Sequence, residues 1–227
     1  MKDFKNLYLS ASLVLLLFAS FVEADGDFSW KHDGSISDTV GHNIIINMKN
    51  IYDAQEYHNN LFLIGYKIDK SGINYPTVTR VSSNLKKTDY WSFDCDLNDL
   101  FVYRDKIYIA DSNGAVYSLK KSNWIKSPLK LNPNSSVIFS NGDIVACYPS
   151  PFFKEDKGIG ACYSIEKKWK VTVNWQDLTP AICHGFLYVY ENNYDGGVVK
   201  KINLDTGKVQ NAKRMTDKPD RMCDISF

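Results

Sequence analysis

Phe139-Ser140-Asn141-Gly142-Asp143-Ile144-Val145-Ala146 reads as a hairpin. An Asn-Gly pair between apolar runs is the strongest short signal for a two-residue β-turn, because both central residues must adopt positive φ. Three further stretches align with it without gaps: Tyr57-His58-Asn59-Asn60-Leu61-Phe62-Leu63-Ile64, Val102-Tyr103-Arg104-Asp105-Lys106-Ile107-Tyr108-Ile109 and Ile182-Cys183-His184-Gly185-Phe186-Leu187-Tyr188-Val189. Each has an apolar strand end, two turn residues (Asn59-Asn60, Arg104-Asp105 and His184-Gly185 in this alignment) and a β-branched or aromatic run. The anchors Phe62, Ile107, Ile144 and Leu187 are spaced by 45, 37 and 43 residues.

A second feature recurs behind each hairpin. Thr79–Lys87, Val116–Trp124, Cys162–Lys170 and Val199–Val209 each read as a strand running into a polar turn, with Trp91, Trp124 or Trp169 at or near the next strand in three of the four. Each unit is therefore four short strands in about 40 residues, the period and strand count of a β-propeller blade. One four-stranded sheet cannot bury both faces alone, so repeated sheets must stack. An antiparallel sandwich also gives strands at this spacing; the four-fold recurrence of strand, turn, strand and polar turn favours the propeller. The expected fold is all-β, a small four- or five-bladed β-propeller of four-stranded antiparallel blades. The repeats cover roughly residues 52–215. Strand-like pieces remain outside them at Phe28–Lys31, Ile44–Ile46 and Asp224–Phe227, so a fifth blade composed from both chain ends is one option.

Gly196-Gly197-Val198-Val199-Lys200-Lys201-Ile202-Asn203-Leu204-Asp205-Thr206-Gly207-Lys208-Val209 resembles the repeat of the quinoprotein-like (PQQ-type) propellers, through its Asp205-Thr206-Gly207-Lys208 turn. The other three units depart from that turn, with Ser83-Asn84-Leu85-Lys86, Leu119-Lys120-Lys121-Ser122 and Ile165-Glu166-Lys167-Lys168 in its place. The resemblance implies the fold and no quinone chemistry, since one fold hosts many functions.

Residues 1–24 read as a cleavable secretory signal: Lys2 and Lys5, an apolar stretch from Leu7 to Val22, then Val22-Glu23-Ala24 before Asp25. A membrane anchor is the alternative, but the stretch is shorter than the roughly 20 apolar residues of a span and contains Ser10, Ser12 and Ser20. Residues 25–227 are then one domain, exported to a periplasmic or extracellular space. Export makes disulfides expected. Of Cys95, Cys147, Cys162, Cys183 and Cys223, the pair Cys147–Cys162 is favoured, because the two lie in short apolar segments that pair antiparallel across a loop. The other three are left without assignment.

With 27 Lys+Arg against 26 Asp+Glu in 227 residues, the chain has no electrostatic footprint for nucleic acid or an anionic membrane. Asp94, Asp96, Asn98 and Asp99, with Asp105 further on, echo the start of a calcium loop. Position six is Asp99 instead of Gly and position twelve is Asp105 instead of Glu, so a polar link between blades is expected and no metal site. His32, His42, His58 and His184 lack metal-ligand spacing, and His58 and His184 sit beside or within hairpin turns. No Gly-x-Ser-x-Gly elbow occurs. Cys183 beside His184 is set aside as a nucleophile and base, since neighbours in a strand face opposite ways. Asn134-Ser135-Ser136 is a glycosylation sequon, meaningful only in a eukaryotic secretory route.

What remains is surface for binding. Tyr148-Pro149-Ser150-Pro151-Phe152-Phe153-Lys154 is Pro-stiffened and apolar at a connection that should face water, and Tyr194-Asp195-Gly196-Gly197 is a second protruding loop at the equivalent place. Tyr148, Phe152, Phe153, Lys154, Tyr194 and Asp195 are the candidate binding residues. No catalytic residue or cofactor is assigned. The expected function is an exported, non-enzymatic module that binds another protein, most concretely an inhibitor or immunity protein that blocks a toxic enzyme of the cell envelope. A lectin-like carbohydrate binder and a propeller enzyme of lyase or cyclase type are the alternatives.

Overall fold

A computed structural model describes residues 22–23, 28–86, 88–139, 142–148, 160–173, 180–193, 196–215 and 222–226. They form five four-stranded antiparallel sheets. Sheet 1 holds β1 (Val22–Glu23), β2 (Phe28–Trp30), β3 (Ser35–Asp38) and β4 (Asn43–Ile45). Sheet 2 holds β5 (Lys49–Tyr57), β6 (Asn60–Ile68), β7 (Asn74–Ser82) and β8 (Thr88–Ser92). Sheet 3 holds β9 (Leu97–Val102), β10 (Ile107–Asp111), β11 (Ala115–Lys120) and β12 (Asn123–Lys130). Sheet 4 holds β13 (Ser136–Phe139), β14 (Val145–Tyr148), β15 (Gly160–Ser164) and β16 (Lys170–Val173), and sheet 5 holds β17 (Ala181–Cys183), β18 (Phe186–Asn193), β19 (Gly196–Asn203) and β20 (Val209–Met215). Every sheet pairs its strands in chain order. This is the all-β blade architecture of a small five-bladed β-propeller.

Sheet 1 draws all four strands from the N-terminal segment. Among the described residues no C-terminal strand joins it: of the piece expected at Asp224–Phe227, Asp224 ends a 3-10 turn (Met222–Asp224), Ile225 and Ser226 lie in no strand, and Phe227 is outside the described residues. Of the expected leader only β1 lies among the described residues; it pairs Val22 with Trp30 and Glu23 with Ser29.

The chain divides into two compact units, residues 1–100 and 101–227. In the first, sheets 1 and 2 share a core of Phe28, Trp30, Ile36, Ile51, Leu61, Leu63 and Val81. In the second, sheet 4 buries both faces. Ile144, Ala146 and Tyr163 meet Phe101, Tyr103, Ala110 and Val116 of sheet 3, while Val145, Cys147, Cys162 and Val173 meet Leu187, Val189 and Ile202 of sheet 5. Each fully buried Leu, Ile or Val contributes roughly 1.5–3 kcal/mol.

The first hairpin turns are of the expected kind. Arg104 and Asp105 have φ of 47° and 53°, and His184 and Gly185 have 50° and 80°. In sheet 4 Gly142 has φ 78°, and Asn141 lies outside the described residues. In sheet 2 the turn is His58-Asn59 (φ 48° and 57°), with Tyr57 opposite Asn60. The ungapped alignment is one residue out there, so the equivalent of Ile107, Ile144 and Leu187 is Leu61, not Phe62. A one-residue slip exchanges the two faces of a strand.

The turn joining third and fourth strands carries a left-handed residue in every sheet: Gly41 in sheet 1, with open space around it, and Leu85, Lys121, Lys168 and Gly207 in sheets 2 to 5. In sheets 2 to 5 only Gly207 is glycine, and there the reason is packing. A Cβ on Gly207 would lie 2.5 Å from Cβ and Cγ of Trp169, whose Nε1 donates to the Leu204 carbonyl at 2.8 Å. Asn203 Oδ1 accepts from the amides of Asp205 (3.0 Å) and Thr206 (2.9 Å) and fixes the same turn. The Asp205–Lys208 turn is thus a dock for the tryptophan of the preceding sheet.

Cys147 and Cys162 lie opposite each other on β14 and β15 and are disulfide-bonded, as the spacing indicates. A second disulfide joins Cys183 to Cys223. While that bond is in place Cys183 has no free thiol.

Candidate functional site

In a meander, the turns between strands one and two and between strands three and four lie at one end of the sheet. The turn between strands two and three, and the links entering and leaving the sheet, lie at the other. Both segments singled out from the sequence join second to third strands, so they belong to this second end of their sheets. His58 and His184 sit in first-to-second turns, at the opposite end.

Short Asx turns build this end in sheets 2 and 3. Asp69 Oδ1 accepts from the amides of Ser71 (2.8 Å) and Ile73 (2.9 Å), and Gly72 follows at φ 85°. These bonds, the Ser71 hydroxyl first and the Ile73 amide second, hold the Asp69 carboxyl below its usual pKa. Asp111, buried, accepts through Oδ1 from the amides of Asn113 (2.9 Å) and Ala115 (2.8 Å), and through Oδ2 from the Tyr117 hydroxyl at 3.2 Å. Gly114 comes next at φ 80°, with the Leu131 carbonyl where a Cβ would stand. In sheet 1, Asp33 Oδ1 accepts from the Ser35 amide at 2.9 Å beside Gly34 at φ 90°.

Sheet 4 departs from this pattern: the connection between β14 and β15 is the eleven positions 149–159, where the connection between β10 and β11 takes three. Tyr148, the last residue of β14, is half-buried. Its ring stands 6.1 Å from that of Tyr163, and Lys170 Nζ lies 5.3 Å from its centre. The hydroxyl of Tyr163 in turn accepts from the Asn132 amide at 3.0 Å and meets Ser135 Oγ at 3.0 Å. Tyr148 is therefore the packed stem of the connection. Phe152, Phe153 and Lys154 lie outside the described residues, as do Tyr194 and Asp195.

Gly196 and Gly197, expected in a protruding loop, instead belong to β19 and pair with Asn193 and Asn192. At Gly197 the Tyr190 ring occupies the place of a Cβ. The connection in sheet 5 shrinks to the two positions 194–195, between the long strands β18 and β19.

The acidic run divides between a link and a strand. Asp94 and Asp96 lie on the link from β8 to β9, as expected, while Asn98 and Asp99 belong to β9. Asp105 lies in its hairpin turn. Among the described residues no group of three His, Cys, Asp or Glu is placed to hold a metal ion.

Sequence reasoning missed the polar knot that this link makes with sheet 2. The Tyr66 hydroxyl donates to Asp96 Oδ1 at 3.1 Å and the Tyr52 hydroxyl to the Leu97 carbonyl at 2.8 Å; the two rings are 6.0 Å apart. Asp53 accepts the Leu100 amide at 2.6 Å and the Ala54 amide at 2.8 Å. Burial pushes its carboxyl up to about 6, against the pull of those two amides. Burial also raises the Tyr52 phenol, with Tyr66 and nearby carboxylates adding to it. Partners 30 and 45 residues apart leave no local motif to read.

A second knot links the other ends of sheets 3, 4 and 5. Glu166 accepts from the Tyr103 hydroxyl and pairs with Arg104 at 3.1 Å, and its amide donates to Asp143 Oδ1 at 3.0 Å. Asp143 Oδ2 accepts from Ser164 Oγ at 2.6 Å, and Lys167 reaches Asp205. Burial first, then Glu166, pushes the Tyr103 phenol up to about 12.

No family model matches the chain, and no curated protein does. Among solved structures, the chain is similar to a glucose dehydrogenase (8% identity, 86% of each chain covered, TM-score 0.53). It also matches a computationally designed protein, Ika8 (11% identity, 86% of this chain and 61% of that one, TM-score 0.49). BamB from Moraxella catarrhalis matches at 11% identity over 86% of this chain and 73% of that one, TM-score 0.41. The chain spans about three fifths of the first structures it matches, 61% of Ika8 and 58% of Hsv2 from Kluyvelomyces marxianus. At such identities the likeness is one of fold. The likeness to the glucose dehydrogenase, together with the five four-stranded sheets, defines a small propeller module, and at the level of fold it agrees with the PQQ-type propeller resemblance carried by Asp205–Lys208.

Proposed function

We propose that residues 25–227 act as a single exported propeller domain that binds another protein, and that its concrete form is an inhibitor or immunity protein blocking a toxic enzyme of the cell envelope. The observation that carries this reading is the eleven-residue connection 149–159, set at the same topological place where sheet 3 needs three residues. Its sequence joins Pro149 and Pro151 to Phe152, Phe153 and Lys154, a stiffened apolar segment flanked by charge. Rigid aromatic anchors at low entropic cost are what hot spots of protein interfaces use. Tyr194 and Asp195, between β18 and β19, add a second contact from the same end of sheet 5.

Two disulfides support export, since such bonds persist in oxidising compartments. Among the described residues no helix is long and apolar enough to cross a membrane. Signal cleavage after Ala24 removes β1 and leaves β2, β3 and β4 as a three-stranded first sheet. N-terminal sequencing of the exported chain reads this directly: a start at Asp25 supports it, and a start before Val22 contradicts it.

The functional test is capture with the purified chain from an envelope extract, followed by an activity assay on what is captured. One enzyme retained in near-equal ratio and inhibited on binding is the expected result. Retention of glycans, or of no protein at all, overturns the reading.

A further inference from the structure

We infer that the C-terminal turn Met222–Asp224 is a redox-releasable strap over one face of sheet 5, with Cys183–Cys223 as its latch. Sheet 5 is already complete in four strands by Met215, so the turn is not needed to finish it. It serves as a cover. Met222 is buried against Cys183, Tyr188, Tyr190 and Val199, with Ile225, Met215 and Phe186 packed at the margin. The disulfide ties the strap down covalently, and the Lys213 ammonium donates to the Ser226 carbonyl at 2.7 Å on an exposed surface. Polar contacts on an exposed surface contribute little, so the buried methionine and the covalent bond are the main hold on the segment.

The two disulfides differ in their access to solvent. Cys147 and Cys162 are 1% and 0% exposed, inside the core shared by sheets 4 and 5. Cys223 is exposed, while its partner Cys183 is 8% exposed. A thiolate must reach the sulfur it attacks, so access selects which bridge opens. One thiolate of a dithiol reductant attacks Cys223 Sγ and breaks the bond to Cys183, which leaves as thiolate and takes up a proton. The second thiol of the reductant then displaces Cys223 and closes the reductant's own disulfide. Two electrons and two protons pass from the dithiol to the two cysteines. With the latch open, Tyr188 and Tyr190 lose their cover.

The test uses the full exported chain with pre-existing thiols blocked. Dithiothreitol is titrated in, new thiols are alkylated, and labelled peptides are mapped while trypsin probes the bond after Arg221. Cys183 and Cys223 are expected to label at a reductant concentration at least about tenfold below that for Cys147 and Cys162. Cleavage after Arg221 should accelerate in the same step, with the β-sheet circular dichroism retained. Simultaneous labelling of all four cysteines overturns the inference, as does loss of the sheet signal when the first bridge opens. Unchanged proteolysis after selective opening also overturns it. Cys223→Ser gives a second route: the variant should keep the Cys147–Cys162 bridge and show rapid cleavage after Arg221 without reductant, and slow cleavage contradicts the strap.

Discussion

The connection between β10 and β11 and the connection between β14 and β15 occupy the same place in neighbouring sheets and differ in length, three positions against eleven. In the first, the backbone is held throughout. Asp111 caps two amides, the Ser112 carbonyl accepts from the Asn134 amide at 2.9 Å, and Gly114 takes a positive φ with the Leu131 carbonyl filling the space beside it. In the second, the described ends are tied by Tyr148 against Tyr163 and by the β14–β15 ladder that contains the Cys147–Cys162 bridge. Turning the chain needs three residues in sheet 3, so the remaining length in sheet 4 is more than the turn requires. Loops on a rigid scaffold are where binding residues collect.

That contrast can be broken from the short side first. Gly114→Ala combines a left-handed φ with a direct clash on backbone, and should cost about 3 kcal/mol in denaturant unfolding. A loss near zero would show that the turn is not under the constraint described. Asp111→Ala removes the acceptor of two amides and of the Tyr117 hydroxyl, an expected cost of about 2 kcal/mol. Gly72→Ala makes a sharp control, because its φ of 85° is similar but nothing lies within 4 Å of the added Cβ. Its cost should be about 1 kcal/mol, from backbone strain alone.

The link side of the same end has a pH signature. Asp53 is raised to about 6 by burial, so its protonated form is the one the fold favours. Stability from this group is fully present below about pH 4, the unfolded value, and is lost as pH rises through about 6. Asp53→Asn cannot ionise and should flatten that slope, gaining about 2 kcal/mol on the wild type between pH 4 and pH 7. Urea titrations at four pH values compare the two; parallel curves would contradict the assignment.

Replacing 150–158 by a short Asn-Gly turn is the mildest change to the fold. Loop closure entropy varies slowly with length, so stability should shift by less than about 1 kcal/mol.

The turns are legible because their chemistry is local. Arg104-Asp105 and His184-Gly185 stand out between apolar runs, and the Cys147–Cys162 register follows from two short segments across one loop. The first repeat misleads by one residue for a physical reason: Leu61, Phe62, Leu63 and Ile64 are all buried, so the strand loses the alternation that marks a face. Sheet 1 escapes the repeat search because its strands are at most four residues long. The Cys183–Cys223 bridge, 40 residues apart, and the Tyr52–Tyr66–Asp96 knot depend on packing between distant segments. No local spacing encodes them. The candidate binding segment is visible in composition alone, as an apolar stretch where water is expected.

The most direct test sets binding against stability in one pair of proteins. The chain with 150–158 shortened and the wild type are melted side by side and then offered the captured partner. The account predicts melting points within a few degrees of each other and loss of partner retention in the shortened chain. Retained binding, or a melting point that falls as far as that of Gly114→Ala, would show that the long connection belongs to the scaffold.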